Sequence, residues 1–169
     1  MKKEVKKNKY INPEPCLIIS CRDNDGRDNA LSIGFAANVS FNPQIIMIAV
    51  MEERYSHHII KERGEFVVNI PTKQQSSLVE YMGRFSGRNM DKLKDVKTCD
   101  ADIVDAPLIV ECPVNYECRV IETIKPGTHE VFFGKVVKAH CDEEYLTDDD
   151  LINWEKFVPL DSMDEFVDS

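Results

Sequence analysis

The chain has 169 residues, of which 43% are hydrophobic and 30% charged, a composition typical of a soluble globular domain with one core. Its formal net charge of −9 argues against a nucleic-acid partner, because binding a polyanion requires a broad basic face. No apolar run approaches the ~20 residues of a membrane-spanning helix, and no signal-peptide core follows the basic start of the chain, so we expect a cytoplasmic protein with no membrane partner.

The chain is predicted to form one domain over residues 1–169. Residues 1–12 are strongly charged and residues 161–169 are acidic. We expect both segments to be flexible tails, because termini without apolar residues to bury are poorly ordered.

Apolar runs and turn residues define the predicted elements along the chain. A cluster of Asn, Asp and Gly at 23–29 predicts a hairpin between strands at 16–21 and 30–35. Residues 41–43 break the chain before a buried strand at 45–51. A short helix is expected at 56–63, with Ser56 as its N-cap and Gly64 as its stop. The later elements are strands at 65–70, 108–111, 114–123 and 131–139, and a helix at 74–82 that ends at Gly83.

About six or seven strands, with two or three short helices inserted between them, predict a mainly β fold. Turns rather than repeated long helices separate the strands, which favours an antiparallel β-barrel over a parallel α/β sheet.

Phosphate-type donors are concentrated between residues 54 and 92. Hydroxyl, guanidinium and ammonium groups of the kind that hold a phosphate occur at Arg54, Ser56, Ser86, Arg88 and Lys92. On an acidic protein, this cluster predicts a specific small anionic ligand. The alternative is a helix cap followed by a basic surface loop.

A second candidate segment runs from residue 29 to residue 43. Ser32, Asn38 and Ser40 stand among small residues that would let the backbone approach a flat ligand closely. The alternative is an ordinary strand with a polar outer face. His129 could be a hydrogen-bond partner or proton donor, or a structural turn residue.

Several common site signatures are absent from the sequence. Six cysteines occur without the two-residue spacing of zinc or iron–sulfur ligands, and we interpret most of them as small apolar residues in strands. No Gly-x-Gly-x-x-Gly, P-loop or Gly-x-Ser-x-Gly motif is present. We therefore predict no metal site and no catalytic nucleophile or general base.

Taken together and in order, the motifs resemble the flavin reductase-like family, and within it the flavoredoxin-type FMN-binding proteins. The similarity spans roughly residues 13 to 160. The segments that carry it are NALSIGF at 29–35, Asn42-Pro43, Arg54-Tyr55-Ser56, GEFVVNIP at 64–71, GRFSGR at 83–88, Asp91-Lys92, PLIVECP at 107–113 and Gly127-Thr128-His129.

The resemblance implies an antiparallel, Greek-key-like split β-barrel that binds FMN rather than FAD and forms a homodimer. By position it implies that Arg54 and Ser56 lie at the phosphate, while Ser86, Gly87 and Lys92 form a loop reaching the cofactor. Residues implied nearer the flavin ring are Ser32, Phe35, Asn38 and Ser40, with His129 on the substrate side. Phe35 stands where the family usually has Trp, and Trp154 and Phe157 are further candidate flavin neighbours.

The implied function is that of a flavin-dependent oxidoreductase, with NAD(P)H as a possible donor and a small molecule or a protein as redox partner. One alternative is a flavin-binding electron carrier or sensor without NAD(P)H turnover. Another is a related barrel that binds haem or pyridoxamine phosphate.

Overall fold

The computed structural model describes residues 1–4, 11 and 13–161. The expected tails, residues 1–12 and 161–169, lie largely outside the described residues. Helices in the described part are α1 (Tyr55–Arg63) and α2 (Ser76–Arg84), with short 3-10 turns at Lys73–Gln75 and Glu143–Tyr145. The strands are β1 (Leu17–Arg22), β2 (Asp28–Ile33), β3 (Ala36–Phe41), β4 (Gln44–Met51), β5 (Glu65–Ile70), β6 (Thr98–Asp100), β7 (Pro107–Ile109), β8 (Val114–Ile124) and β9 (His129–Cys141).

Seven strands form one antiparallel sheet in the order β2-β1-β5-β8-β9-β4-β3, and β6 pairs with β7 in a small second sheet. Strands β2 and β3 occupy opposite edges, yet only Gly34 and Phe35 connect them. The sheet must therefore curl until its edges meet, and the amide of Ala49 on β4 donates to the carbonyl of Phe35 at that seam, 2.9 Å away. No strand ladder closes the seam, so the prediction of a mainly β, antiparallel split barrel is confirmed.

The strands contain apolar runs because their side chains fill the interior of the barrel. Phe66, Phe132, Ile19 and Ile48 are fully buried and pack together inside the curled sheet. A second cluster forms where α2 covers β1 and β2, with Met82 and other apolar side chains against Ile18. No helix in the described part of the chain has the length and apolarity needed to cross a bilayer.

Most predicted elements are confirmed, with corrections at their ends. The turn at 23–27 joins β1 and β2 as expected, and Asp23 Oδ1 accepts from the amides of Asp25 and Arg27. Gly64 ends α1 in the left-handed region, φ 66°, where glycine has no steric penalty. The second helix runs past Gly83 to Arg84. The short strand β6 and the edge strand β3 were not predicted as separate elements, because neither has a long apolar run.

The prediction that Ser56 caps α1 is wrong. Arg54 is the N-cap, without a side-chain cap bond, and Ser56 lies inside the first turn. Ser56 is buried and its hydroxyl accepts from the Asn29 side chain. A tertiary hydrogen bond has therefore replaced the local cap that the sequence suggested.

Candidate functional site

A pocket of about 220 Å³ lies between β2, the start of α1, the end of α2 and the loop that follows α2. The structure brings six of the predicted binding residues together as its lining: Ser32, Arg54, Ser56, Ser86, Gly87 and Lys92. These residues span sixty positions of sequence, and the curl of the sheet is what gathers them.

The first turn of α1 faces this pocket. No acidic residue stands in the first turn, and no side chain caps it, so its unpaired amides and the positive end of the helix dipole are available to an anion. Arg54 and Ser56 line the pocket beside these amides. The arrangement suits a phosphate.

Cations outnumber carboxylates in the pocket wall. Arg54, Arg84 and Lys92 line it against the single carboxylate of Glu53, a surplus of two positive charges on a chain whose net charge is −9. Such a reversal of local charge attracts anionic ligands to one place on an otherwise acidic protein.

Lys92 is 4% exposed, and its Nζ donates to the carbonyl oxygen of Met82, 3.0 Å away. Burial lowers the pKa of Lys92 to about 8. The Cys21 thiol acts to raise this pKa, and the positive charge of Arg54 acts to lower it further. The side chain therefore loses its proton closer to neutral pH than an exposed lysine does. A bound anion would favour the protonated, charged form.

Asn29 is a pocket residue that sequence reasoning missed. Its side chain is 2% exposed and donates from Nδ2 to the Ser56 hydroxyl, 2.6 Å away, while Oδ1 has no partner among the described residues. A buried acceptor without a donor is costly, and a ligand whose donor displaced the Gly87 contact would relieve that cost. In the sequence Asn29 looks like the last residue of a turn, and no local signal separates it from its neighbours.

Gly87 packs directly against Asn29. A Cβ built on Gly87 would overlap Asn29 Oδ1 and lie 3.1 Å from the Tyr55 ring, so glycine is required for this close approach rather than for its backbone angles. Ser32 donates to the carbonyl of Val79, 2.5 Å away, and its oxygen remains able to accept from a ligand.

Cys21 lies beneath this cluster and is fully buried. Burial raises the pKa of its thiol to about 12, against the opposing effect of a hydrogen bond with Ser56. The thiol is therefore neutral and has no role as a nucleophile. Cys112 and Cys118 are also buried, whereas Cys16, Cys99 and Cys141 are not. Four of the six cysteines lie in strands, as predicted, but only three are core residues.

The remaining predicted residues lie outside the pocket lining. Phe35 and His129 meet each other, with ring centroids 5.0 Å apart and planes tilted by 46°, and His129 pairs in register with Met51, which lines the pocket. Asn38 and Ser40 lie on the edge strand β3. Asn38 pairs with Ile46 but is itself exposed at the open edge.

The structure also separates Arg88 and the C-terminal aromatic residues from the pocket. Arg88 is exposed and lies over the Tyr55 ring instead of lining the cavity. Phe157 is fully buried against the rings of Tyr145 and Trp154, so its side chain is not available to a ligand.

The chain matches the flavin reductase like domain family over residues 10–159. The flavoredoxin of Desulfovibrio vulgaris (Miyazaki F) superposes with a TM-score of 0.89 at 28% identity, covering 98% of this chain and 90% of that one. The flavoredoxin from Methanosarcina acetivorans gives a TM-score of 0.90 at 29% identity, covering 98% and 88%. An NADH:riboflavin 5'-phosphate oxidoreductase of Streptomyces pristinaespiralis is 21% identical over 124 residues, 73% of this chain and 69% of that protein.

Proposed function

Because the chain belongs to the flavin reductase like domain family, we propose that it binds FMN in the pocket beside α1 and passes electrons through the bound flavin. The observation that carries this proposal is the cationic pocket itself. It combines an uncapped helix start, Arg54, Ser56 and the buried Lys92 with an acceptor, Asn29 Oδ1, that lacks a partner within residues 13–161.

The residues present fit a flavin mononucleotide. A phosphate monoester carries about −1.5 to −2 charges, which matches the two-charge surplus of the wall. Arg54, Ser56 and the first-turn amides are assigned to the phosphate. Lys92, Ser32 and the loop at Ser86 and Gly87 are assigned to the rest of the cofactor.

Bound FMN would supply the electron-accepting group, and the protein would supply position, exclusion of water and a protonated neighbour. Three features of the chain serve these tasks: α1 and Arg54 orient an anion, Gly87 admits a close backbone approach, and Lys92 holds a proton at Nζ. Phe35 and His129 lie beyond the pocket lining as two rings tilted by 46°, and we assign them to the flavin ring and its reaction partner.

Two versions of this function differ in their electron donor. The similarity to an NADH:riboflavin 5'-phosphate oxidoreductase supports NAD(P)H as donor, and the similarity to flavoredoxins supports electron transfer with a redox partner. We propose NAD(P)H oxidation as the leading version and a carrier fed by another protein as the alternative. No disulfide joins Cys21, Cys99, Cys112, Cys118 or Cys141 within the described part of the chain, which supports a proposed location in the reducing cytoplasm.

FMN binding tests the proposal directly. Purified protein mixed with FMN should quench flavin fluorescence with saturable 1:1 binding, and the Ser56→Ala/Lys92→Met variant should raise the FMN Kd at least about tenfold, because it removes a hydroxyl and a buried cation. A matched variant, Ser77→Ala/Lys97→Met, changes two exposed residues of the same types outside the pocket and should leave the Kd unchanged. Absence of FMN binding to the natural protein would refute the proposal.

Anaerobic mixing separates the two versions. Rapid loss of flavin absorbance with NADH or NADPH would identify a reductase. Reduction by a reduced ferredoxin alone would identify a carrier.

A further inference from the structure

The arginines of the described chain fall into two groups. One group pairs with carboxylates: Arg22, Arg63, Arg84 and Arg119. The other group, Arg27, Arg54 and Arg88, makes no carboxylate ion pair among the described residues. On a chain with nine more acidic than basic residues, arginines left without carboxylates are unexpected, and all three stand around Tyr55.

Two of these arginines form a rim outside the flavin pocket. The guanidinium carbon of Arg27 lies 5.7 Å from the centroid of the Tyr55 ring, and that of Arg88 lies 5.9 Å from it. Tyr55 lines the pocket, whereas Arg27 and Arg88 do not. We call Arg27, Tyr55 and Arg88 the Tyr55 rim.

The Tyr55 rim is held in place before any ligand arrives. Arg27 donates to the carbonyl of Gly87, 2.7 Å away, which ties the β1–β2 turn to the loop that carries Arg88. Both guanidinium groups rest on an aromatic ring, so less freedom is lost when they bind an anion. Two cations held against one ring repel each other, and an anionic ligand bound by both would relieve that repulsion.

The charge at the rim exceeds what a mononucleotide uses. Arg54, Lys92 and the start of α1 already balance one phosphate inside the pocket. Exposed carboxylates also stand close to these arginines in the sequence, at Asp25, Glu52, Glu53 and Asp91. They would repel a broad acidic protein surface. The observations therefore favour a compact anion that extends outward from the pocket.

We propose that Arg27 and Arg88 bind the diphosphate of a dinucleotide whose other half reaches the flavin pocket. This inference rests on the proposed function. A diphosphate suits two planar, bidentate guanidinium groups, and their exposed faces can stack with an adenine ring. The rim would thus replace the glycine-rich diphosphate loop that the sequence lacks. The dinucleotide is either FAD, whose flavin-side phosphate stays at Arg54 and Ser56 while its adenylate-side phosphate reaches the rim, or NAD(P)H next to bound FMN.

The test compares ligands that differ by the adenylate half. The first arm measures the Kd values of FMN and FAD by fluorescence quenching. The second arm follows anaerobic reduction of the FMN-loaded protein by NADH and by reduced nicotinamide mononucleotide. Variants are Arg88→Ala, which leaves the Arg27–Gly87 bond in place, Arg27→Ala/Arg88→Ala, and the charge-conserving Arg27→Lys/Arg88→Lys. The control, Lys73→Ala/Lys97→Ala, removes two exposed charges elsewhere.

If the rim holds FAD, the alanine variants raise the FAD Kd about five- to tenfold and leave the FMN Kd within about twofold. If it holds NAD(P)H, they lower the apparent affinity for NADH by a similar factor and leave reduced nicotinamide mononucleotide unaffected. The lysine variant should restore only part of either loss, because it keeps charge without the planar fork.

Unchanged behaviour of the alanine variants in both arms, with FMN still bound, would overturn the inference while leaving the proposed function intact. Equal losses in the control variant would also overturn it, since they would show a net-charge effect. Failure of the natural protein to bind any flavin would instead refute the proposed function.

Discussion

Lys92 and Asn29 show how single buried polar side chains define this site. Each is almost fully buried. In the part of the chain that the structure describes, each makes fewer hydrogen bonds than its side chain can: Lys92 donates to Met82, and Asn29 Oδ1 has no partner. Groups of this kind destabilise a fold unless a ligand completes them. Their position in one pocket is therefore stronger evidence for a binding site than the exposed donors around them.

Lys92 should make stability and FMN binding respond oppositely to alkaline pH. Its folded pKa of about 8 lies below the ordinary 10.5, so between these values the unfolded chain binds more protons and the free energy of unfolding rises with pH. FMN affinity should fall over the same interval, because the neutral amine no longer attracts the anion. Urea unfolding of flavin-free protein and FMN titrations across this range measure the two trends.

The variant Lys92→Met should flatten both trends, and Lys97→Met, which changes an exposed lysine, should retain them. If the Lys92→Met protein kept the same pH slopes, another group would be responsible.

At the scale of elements, the long strands β8 and β9 are tied to the loop before β7 by one carboxylate. Glu117 is fully buried and accepts from the amides of Asp102, Ile103 and Val104, at 2.7 to 3.0 Å. On β9, His140 Nε2 lies 2.6 Å from Oε1 of Glu117. The sequence shows Glu117 as a polar residue in an alternating strand, and only the loop folded over it explains its burial.

Replacing Glu117 by Gln should destabilise the protein by about 2–4 kcal/mol, because an amide group would face backbone donors in a buried site. Burial acts to raise the pKa of Glu117, but His140 and the three amides outweigh it and hold the pKa below its ordinary value. That carboxylate therefore adds stability above the ordinary pKa, and this stability is lost as pH falls.

Chemical unfolding at neutral and acidic pH measures both effects of Glu117→Gln, including a shallower loss of stability in acid. Glu122→Gln changes an exposed residue of the same strand and serves as control. A Glu117→Gln protein as stable as the control would show that the carboxylate does not anchor the loop.

At the scale of the whole molecule, the open seam of the barrel leaves β3 as an edge strand with apolar side chains. Val39 is 48% exposed and Phe41 is 95% exposed. Exposed edges with apolar residues are sites of association, and two-fold dimers are the commonest assemblies of soluble proteins. We therefore propose a homodimer that covers β3 and the neighbouring seam.

Light scattering coupled to gel filtration should give twice the chain mass. The variant Val39→Asp/Phe41→Asp should be a monomer, because burying unpaired aspartates in the interface is unfavourable. The control Leu151→Asp/Val158→Asp places the same charges at other exposed apolar residues, 65% and 60% exposed, and should remain dimeric. A monomeric natural protein would contradict the proposal.

Local rules explain what the sequence determined by itself. Turn residues around Gly26 predicted the β1–β2 hairpin, Gly64 predicted the end of α1, and apolar runs predicted β4 and β5 within a residue or two. These features depend on backbone angles and burial patterns that neighbouring residues decide. The ordered motifs around Arg54 and Lys92 also predicted the fold class and a pocket for an anion.

Tertiary structure decided which donors share that pocket. Curling of the sheet places Ser32 and Ser86 in one pocket. Arg88 lies at the rim over Tyr55, and Asn38 and Ser40 lie on an open edge. Ser56 lost its expected cap role to a hydrogen bond with Asn29, twenty-seven residues away. The physical reason is that burial and the pairing of polar groups depend on contacts between distant segments, which no local pattern in the chain encodes.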